Sequence, residues 1–262
     1  MCTLILGVDL VEPGSVILAA NRDEDPARPS EGPGVLRAEP RVVGGRDARK
    51  GGTWLAIRER RAAVAMLNRR EDSGPGSPTR RSRGLLALEV AAAGDGSPAA
   101  ALECTQAALR ESEFAPFSML YASPLKCWLI AWDGASASVV APIAPGWHAI
   151  THADLDDPAE PRTRWIAGRL AGFAPANRDE AERRLLDLLR SHGMAAGTGA
   201  GPAPPVCLHE GIIRTVSTSI VYLAREEARY VHIEGRPCTG AALDCAPLLA
   251  GPNPARQRIA RD

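Results

Sequence analysis

The chain has 262 residues, 45% of them hydrophobic, with 31 basic side chains balanced by 31 acidic ones. It is therefore long and apolar enough to bury a substantial core, and it carries no global field that would attract nucleic acid or an anionic membrane. No stretch reaches the roughly 18 consecutive apolar residues of a membrane-spanning helix, and Asp9, Glu12 and Pro13 follow the opening residues too soon for a secretory signal.

In chain order, the dominant signal is a series of short, nearly continuous apolar segments bounded by charge, Gly or Pro. These are "CTLILGV" (2–8), "SVILAA" (15–20), "TWLAI" (53–57), "AAVAML" (62–67), "CWLIAW" (127–132) and "TSIVYL" (218–223). A strand with one wet face alternates, whereas these read as strands covered on both faces. Turn signals at "EPGS" (12–15) and "DGAS" (133–136) join neighbours at hairpin distance and favour antiparallel pairing.

One helical pair is expected over "GLLALEVAAAG" (84–94) and "SPAAALECTQAALRES" (97–112), with Ser97 as N-cap and Pro98 at the first helical position. A second pair is expected over "PRTRWIAGRLAGF" (161–173) and "NRDEAERRLLDLLRSHG" (177–193). In the latter, Ala181, Leu185, Leu188 and Leu189 form the apolar stripe and Gly193 the stop. The Gly/Pro/Ala run at 194–206 reads as a flexible connection and 251–262 as a flexible tail. Strands, helices, then strands again predict an α+β fold: a four-layer αββα sandwich of two mostly antiparallel sheets covered by helices, forming one domain over residues 1–250.

Cys2 has two readings. Free cysteine packs well in a core. Alternatively, removal of Met1 would give one residue both a thiol and a free α-amine, and the neutral fraction of that amine can accept the thiol proton, as in other terminal nucleophiles. Such a site needs a group to orient the amine, donors for an oxyanion, and a pocket. The run "AANRDED" supplies Asn21, Arg22, Asp23 and Asp25 at the end of the second strand, which a hairpin returns to Cys2. "AMLNRRE" ends its strand in Asn68, whose amide can donate to an oxyanion.

Together, "MCTLILGV", "ANRDE", "GGTWLAI" and "AMLNRR", in this order and spacing, resemble the NRDE-motif family, also called the transport-and-Golgi-organisation family. That family is similar to the N-terminal nucleophile (Ntn) hydrolases, including the cysteine acylases that cut penicillin V or conjugated bile acids. The resemblance implies Cys2 as nucleophile after Met1 removal, assisted by Arg22 and Asp23, with Asn68 at a characteristic strand end. In "HAITHADLDDP", His152 stands where the family has Asn, which casts it as an oxyanion donor or a departure from the usual hole. In "RTVSTSIVYL", Val216 takes an Arg position and Arg214 lies two residues earlier, on the same face if strand periodicity holds. Asn21, Asp25 and Arg214 are the expected substrate contacts.

The leading expectation is thus a cytoplasmic cysteine amidohydrolase acting on a small amide or acyl substrate, with no cofactor required. The alternative, suggested by the eukaryotic branch of the family, is a non-catalytic carrier of haem or an acyl lipid in the same cleft, with Cys2 or His152 as axial ligand. No nucleic-acid partner is expected. Nor is a metal site: the spacing of Cys207 and His209 in "PVCLHEG" suits a metal, yet the sequence shows no second pair beside it.

Overall fold

A computed structural model describes residues 2–70, 80–193 and 203–250. The first half contributes strands β1 (Thr3–Val8), β2 (Val16–Glu24), β3 (Ser30–Arg37), β4 (Val42–Asp47), β5 (Leu55–Arg58) and β6 (Ala62–Asn68), followed by helices α1 (Arg83–Ala92) and α2 (Pro98–Glu111). Next come β7 (Phe117–Ala122), β8 (Cys127–Trp132), β9 (Ala137–Val140), β10 (Gly146–Ile150), α3 (Pro161–Leu170) and α4 (Arg178–Leu189). The chain then continues through β11 (Arg214–Leu223), β12 (Ala228–Glu234), β13 (Ala242–Asp244) and the short α5 (Ala246–Leu249).

The strands form two antiparallel sheets. One has six strands in the order β10-β1-β2-β11-β12-β13, and the other has seven in the order β3-β4-β5-β6-β7-β8-β9. Successive side chains of a strand point to opposite faces, and in the central strands both faces are dry. Leu4, Leu6 and Leu18 of the first sheet meet Val43, Ile57, Leu120 and Leu129 of the second in a layer between the sheets. The intervening Ile5, Ile17 and Ala19 instead pack under α3 and α4, against Ile166, Leu170, Ala181 and Leu185. Val64, Met66, Met119 and Tyr121 of the second sheet pack under α1 and α2 through Leu86, Val90 and Ala101. The expected αββα layering is therefore present, and the missing alternation in the sequence has its cause: no central strand has a wet face.

Local signals act as expected. The Ser97 hydroxyl accepts from the Ala100 N–H at 3.2 Å with Pro98 in the first turn of α2. The Asp133 carboxylate accepts from the Ala135 and Ser136 amides at 2.8 and 2.7 Å, closing the β8–β9 hairpin. Ala181, Leu185, Leu188 and Leu189 are the buried residues of α4, but the helix ends at Leu189, before Gly193. A β-bulge between Thr215 and Ser217 interrupts the alternation on which a shared face for Arg214 and Val216 depended. Residues 194–202 of the expected connection, and the expected tail at 251–262, lie outside the described residues. Among the described residues, no helix is long and apolar enough to cross a membrane.

Candidate active site

The β1–β2 register pairs Thr3 with Asn21, so Cys2, one residue before β1, lies beside the end of β2. Its Sγ is 3.8 Å from the Asp23 carbonyl oxygen and half-buried, at the wall of a cleft of about 450 Å³. Burial, followed by the adjacent Asp23 carboxylate, raises the Cys2 thiol above its ordinary pKa.

The Asp23 side chain is held from two elements. Its Oδ1 accepts from the Thr215 hydroxyl of β11 at 2.7 Å, and its Oδ2 lies 3.5 Å from Arg162 of α3. Arg162 also donates to the Thr3 hydroxyl at 2.7 Å, bridging the first two strands at this end. Among the described residues nothing hydrogen-bonds the buried Asp23 Oδ2, and burial lifts the carboxyl from 3.8 to about 6, although Thr215 and Arg162 oppose the rise.

Arg22 points into the cleft from the same strand. Its guanidinium carbon is 4.2 Å from the centroid of the Trp54 ring, and Nη1 donates to the Ser30 hydroxyl at 3.2 Å. The indole can lie there because Gly45 faces it: a Cβ on that glycine would sit 2.4 Å from the ring. A second close approach shapes the rim. A Cβ on Gly52 would meet the Gly84 backbone at 2.2 Å, and the Thr53 N–H donates to the Gly84 carbonyl at 3.0 Å, fixing the β4–β5 loop to the start of α1.

The cleft is cationic. Arg22, Arg28, Lys50, Arg80, Arg81 and Arg83 line it, against Asp23, Glu24 and Asp47. Arg28 pairs with Asp47 at 2.6 Å, and Arg81 pairs with Glu89. Burial alone would raise Asp47, yet its bonds to Arg28 hold it below the ordinary carboxylate value. Behind Cys2 a narrow slot between Trp54, Leu55, Ala65 and Met66 holds only about 20 Å³.

The expected site residues separate into three groups. Cys2, Arg22, Asp23 and Asn68 all line the cleft, with Asn68 exposed at the end of β6. Asn21 adjoins them in sequence but is fully buried and serves as a brace. Its Nδ2 donates to the carbonyls of Leu189 and Val206 at 2.9 and 3.0 Å, and its Oδ1 accepts from the Thr218 hydroxyl at 2.6 Å. The remaining three lie apart from the cleft lining. Asp25 makes a turn, accepting from the Ala27 N–H at 2.8 Å. Arg214 is exposed in a separate groove, donating to the Gly211 carbonyl at 3.0 Å. His152 follows β10 with Nε2 3.4 Å from Arg70; burial and then that guanidinium lower its pKa.

Sequence reasoning passed over Arg162 and Thr215, which reach Asp23 from distant parts of the chain, so no local pattern signals them. The run "RRSRG" at 80–84, opening α1, was a legible sign of the basic rim. Away from the cleft, the second pair missing around Cys207 and His209 is present in space. His192 and Cys238 join them, with one potential ligand atom from each residue and all four atoms within 4.8 Å of one another.

The family model for Transport and Golgi organisation 2 matches residues 1–197. The chain belongs to this family. Three solved structures share its fold. A Caenorhabditis elegans ortholog of N-acylethanolamine-hydrolyzing acid amidase is similar at 14% identity and a TM-score of 0.56, over 84% of this chain and 92% of that one. A mutant of the conjugated bile acid hydrolase from Clostridium perfringens is similar at 11% identity and a TM-score of 0.58, over 96% and 95%. A second variant of the same hydrolase gives 11% and 0.57 over the same shares. At these identities the likeness concerns the fold. No curated protein matches the sequence.

Proposed function

We propose that this chain is an Ntn-type cysteine hydrolase that cuts an amide or related acyl bond in a small anionic molecule, with Cys2 as nucleophile once Met1 is removed. The observations that carry this reading are the placement of the Cys2 sulfur at a cationic cleft, 3.8 Å from the Asp23 backbone carbonyl oxygen, and the burial of that residue's carboxylate Oδ2 without a hydrogen bond among the described residues. A buried carboxylate oxygen with an ion pair to Arg162 but no hydrogen bond is costly, and an α-ammonium on Cys2 is the group that would satisfy it.

In this mechanism the neutral α-amine takes the thiol proton and the sulfur attacks the substrate carbonyl carbon. The C=O electron pair moves to oxygen, and the Asn68 amide is the nearby donor on the cleft wall. When the intermediate collapses, the C–N bond breaks and the leaving amine takes the proton from the α-ammonium. Water then gives a proton to the α-amine and attacks the thioester, releasing a carboxylic acid and restoring the thiol. Asp23 stabilises the ammonium form, and Arg22, fixed against Trp54, is placed to bind an anionic group of the substrate. His152 would join the oxyanion donors only if its loop moved towards the cleft.

The two hydrolases with similar folds are named for N-acylethanolamines and for conjugated bile acids. For this chain the guanidinium-rich walls and the small apolar slot favour a polar, anionic substrate over a long acyl chain. The same walls suit the carrier reading less well, because the face of a porphyrin asks for aliphatic contact.

The test is intact mass combined with turnover. A chain lacking Met1 should release amine from anionic N-acyl substrates, and Cys2→Ala should abolish the release. Retention of Met1 in the active preparation, or undiminished turnover in Cys2→Ala, would refute the assignment.

A further inference from the structure

We infer that His192, Cys207, His209 and Cys238 form a tetrahedral zinc site that ties the end of α4 and the loop after β12 to the segment entering β11. The donor chemistry selects the metal. Two thiolates and two imidazoles suit zinc and exclude the hard cations that seek oxygen, and two thiolates neutralise its charge.

The geometry agrees. A tetrahedral ion with bonds of roughly 2.3 Å to sulfur and 2.0 Å to nitrogen sets two sulfurs about 3.8 Å apart and a sulfur and nitrogen about 3.5 Å apart. The sulfurs of Cys207 and Cys238 are 3.8 Å apart, and His209 Nε2 is 3.2 Å from the Cys238 sulfur. A disulfide would need about 2.0 Å, and both cysteines are free. The two imidazole rings meet edge-on with centroids 4.4 Å apart.

Hydrogen bonds from neighbouring backbone and side-chain groups hold the four residues together without help from their own side chains. The Ser191 carbonyl accepts from the amides of Val206 and Cys207 at 2.9 and 2.8 Å, which sets His192 beside Cys207. Arg190 Nε donates to the Pro237 carbonyl at 2.9 Å, which brings Cys238 to the same point. The Leu208 N–H donates to the Thr215 hydroxyl at 2.8 Å, fixing the turn that carries His209. Cys207 is buried and His192 exposed, leaving one side open for an ion to enter.

One neighbour opposes binding. Arg236 Nη1 lies 3.1 Å from His209 Nδ1. Zinc on Nε2 would leave the proton on Nδ1, so this guanidinium has to turn away, and its charge works against the cation. Replacing it with a glutamine, whose oxygen can accept from Nδ1–H, should tighten the site.

The experiment uses untagged full-length protein, assayed for metal after dialysis against a weak chelator, and again as the cobalt form after stripping. About one zinc per chain is expected, with thiolate-to-metal charge-transfer and tetrahedral d–d bands in the cobalt form. Cys238→Ser and His209→Ala should lose most of the zinc, Cys104→Ser should keep it, and Arg236→Gln should hold zinc against roughly tenfold more chelator. If the ligand variants fail to fold, the wild-type cobalt spectrum and Arg236→Gln still decide. Less than about 0.1 zinc per chain with no thiolate band after reconstitution would overturn the site. So would a Cys207–Cys238 disulfide as the only state of protein purified under reductant, or the same zinc retention in Arg236→Gln as in wild type.

Discussion

Asn21 gives the sharpest test of how the candidate site is built. Its amide makes three hydrogen bonds of 2.9, 3.0 and 2.6 Å, to Leu189, Val206 and Thr218, and the residue is fully buried. Each such bond contributes about 1 kcal/mol net, and each partner left buried and unpaired costs about 1–3 kcal/mol. Asn21→Ala should therefore lower unfolding stability by roughly 3–6 kcal/mol, a large share of the 5–15 kcal/mol typical of a domain. Asn21→Asp should be at least as costly at neutral pH, because it presents a carboxylate to two carbonyl oxygens. The assay is urea unfolding followed by tryptophan fluorescence. An Asn21→Ala protein with wild-type stability but impaired substrate binding would refute the brace and restore the substrate contact expected from sequence.

Three further outcomes follow from the same geometry. Asp23 has a higher pKa folded than unfolded, so the native state holds its proton longer. Stability should therefore fall by roughly 3 kcal/mol as pH rises from about 4 through about 6. Urea titrations across that window should show this fall for the wild type and lack it in Asp23→Asn; parallel curves for the two proteins would contradict it. Gly52→Ala should destabilise by several kcal/mol, because its Cβ would lie 2.2 Å from the Gly84 backbone, which cannot rotate away; thermal melting checks this. Burial lifts the Cys127 thiol to about 11, so brief alkylation of the native protein should leave Cys127 unlabelled and modify it only after unfolding, as read by peptide mass.

Much of the architecture was legible because it is written in local patterns. Continuous apolar segments mark strands covered on both faces, Ser97-Pro98 marks a helix start, and "EPGS" marks the hairpin that returns Arg22 and Asp23 to Cys2. The site was legible only in part. Its first wall comes from one hairpin, whereas Arg162 and Thr215 reach Asp23 across 139 and 192 residues of chain and carry no motif. His192 and Cys238 are equally silent in the sequence, since their relation to Cys207 and His209 exists only after α4, β11 and β12 have packed.

The string Asn-Arg-Asp-Glu occurs twice and separates the two kinds of information. At 21–24 it closes a buried strand, with Asn21 bracing α4 and Asp23 bonded to Thr215. At 177–180 it opens α4: Asn177 caps the helix by accepting from the Glu180 N–H at 2.9 Å, and Glu180 accepts from the Ala176 N–H at 2.6 Å. The sequence alone determined that strands and helices alternate in blocks, because apolar period and capping chemistry act over a few residues. The same local signals set the first copy at a strand end and the second at a helix start; only the tertiary structure decided which distant groups the first copy meets. In the second copy the Asn and Glu side chains satisfy their hydrogen bonds with neighbours three and four residues away, whereas in the first the Asn and Asp side chains reach a strand and the end of a helix far along the chain.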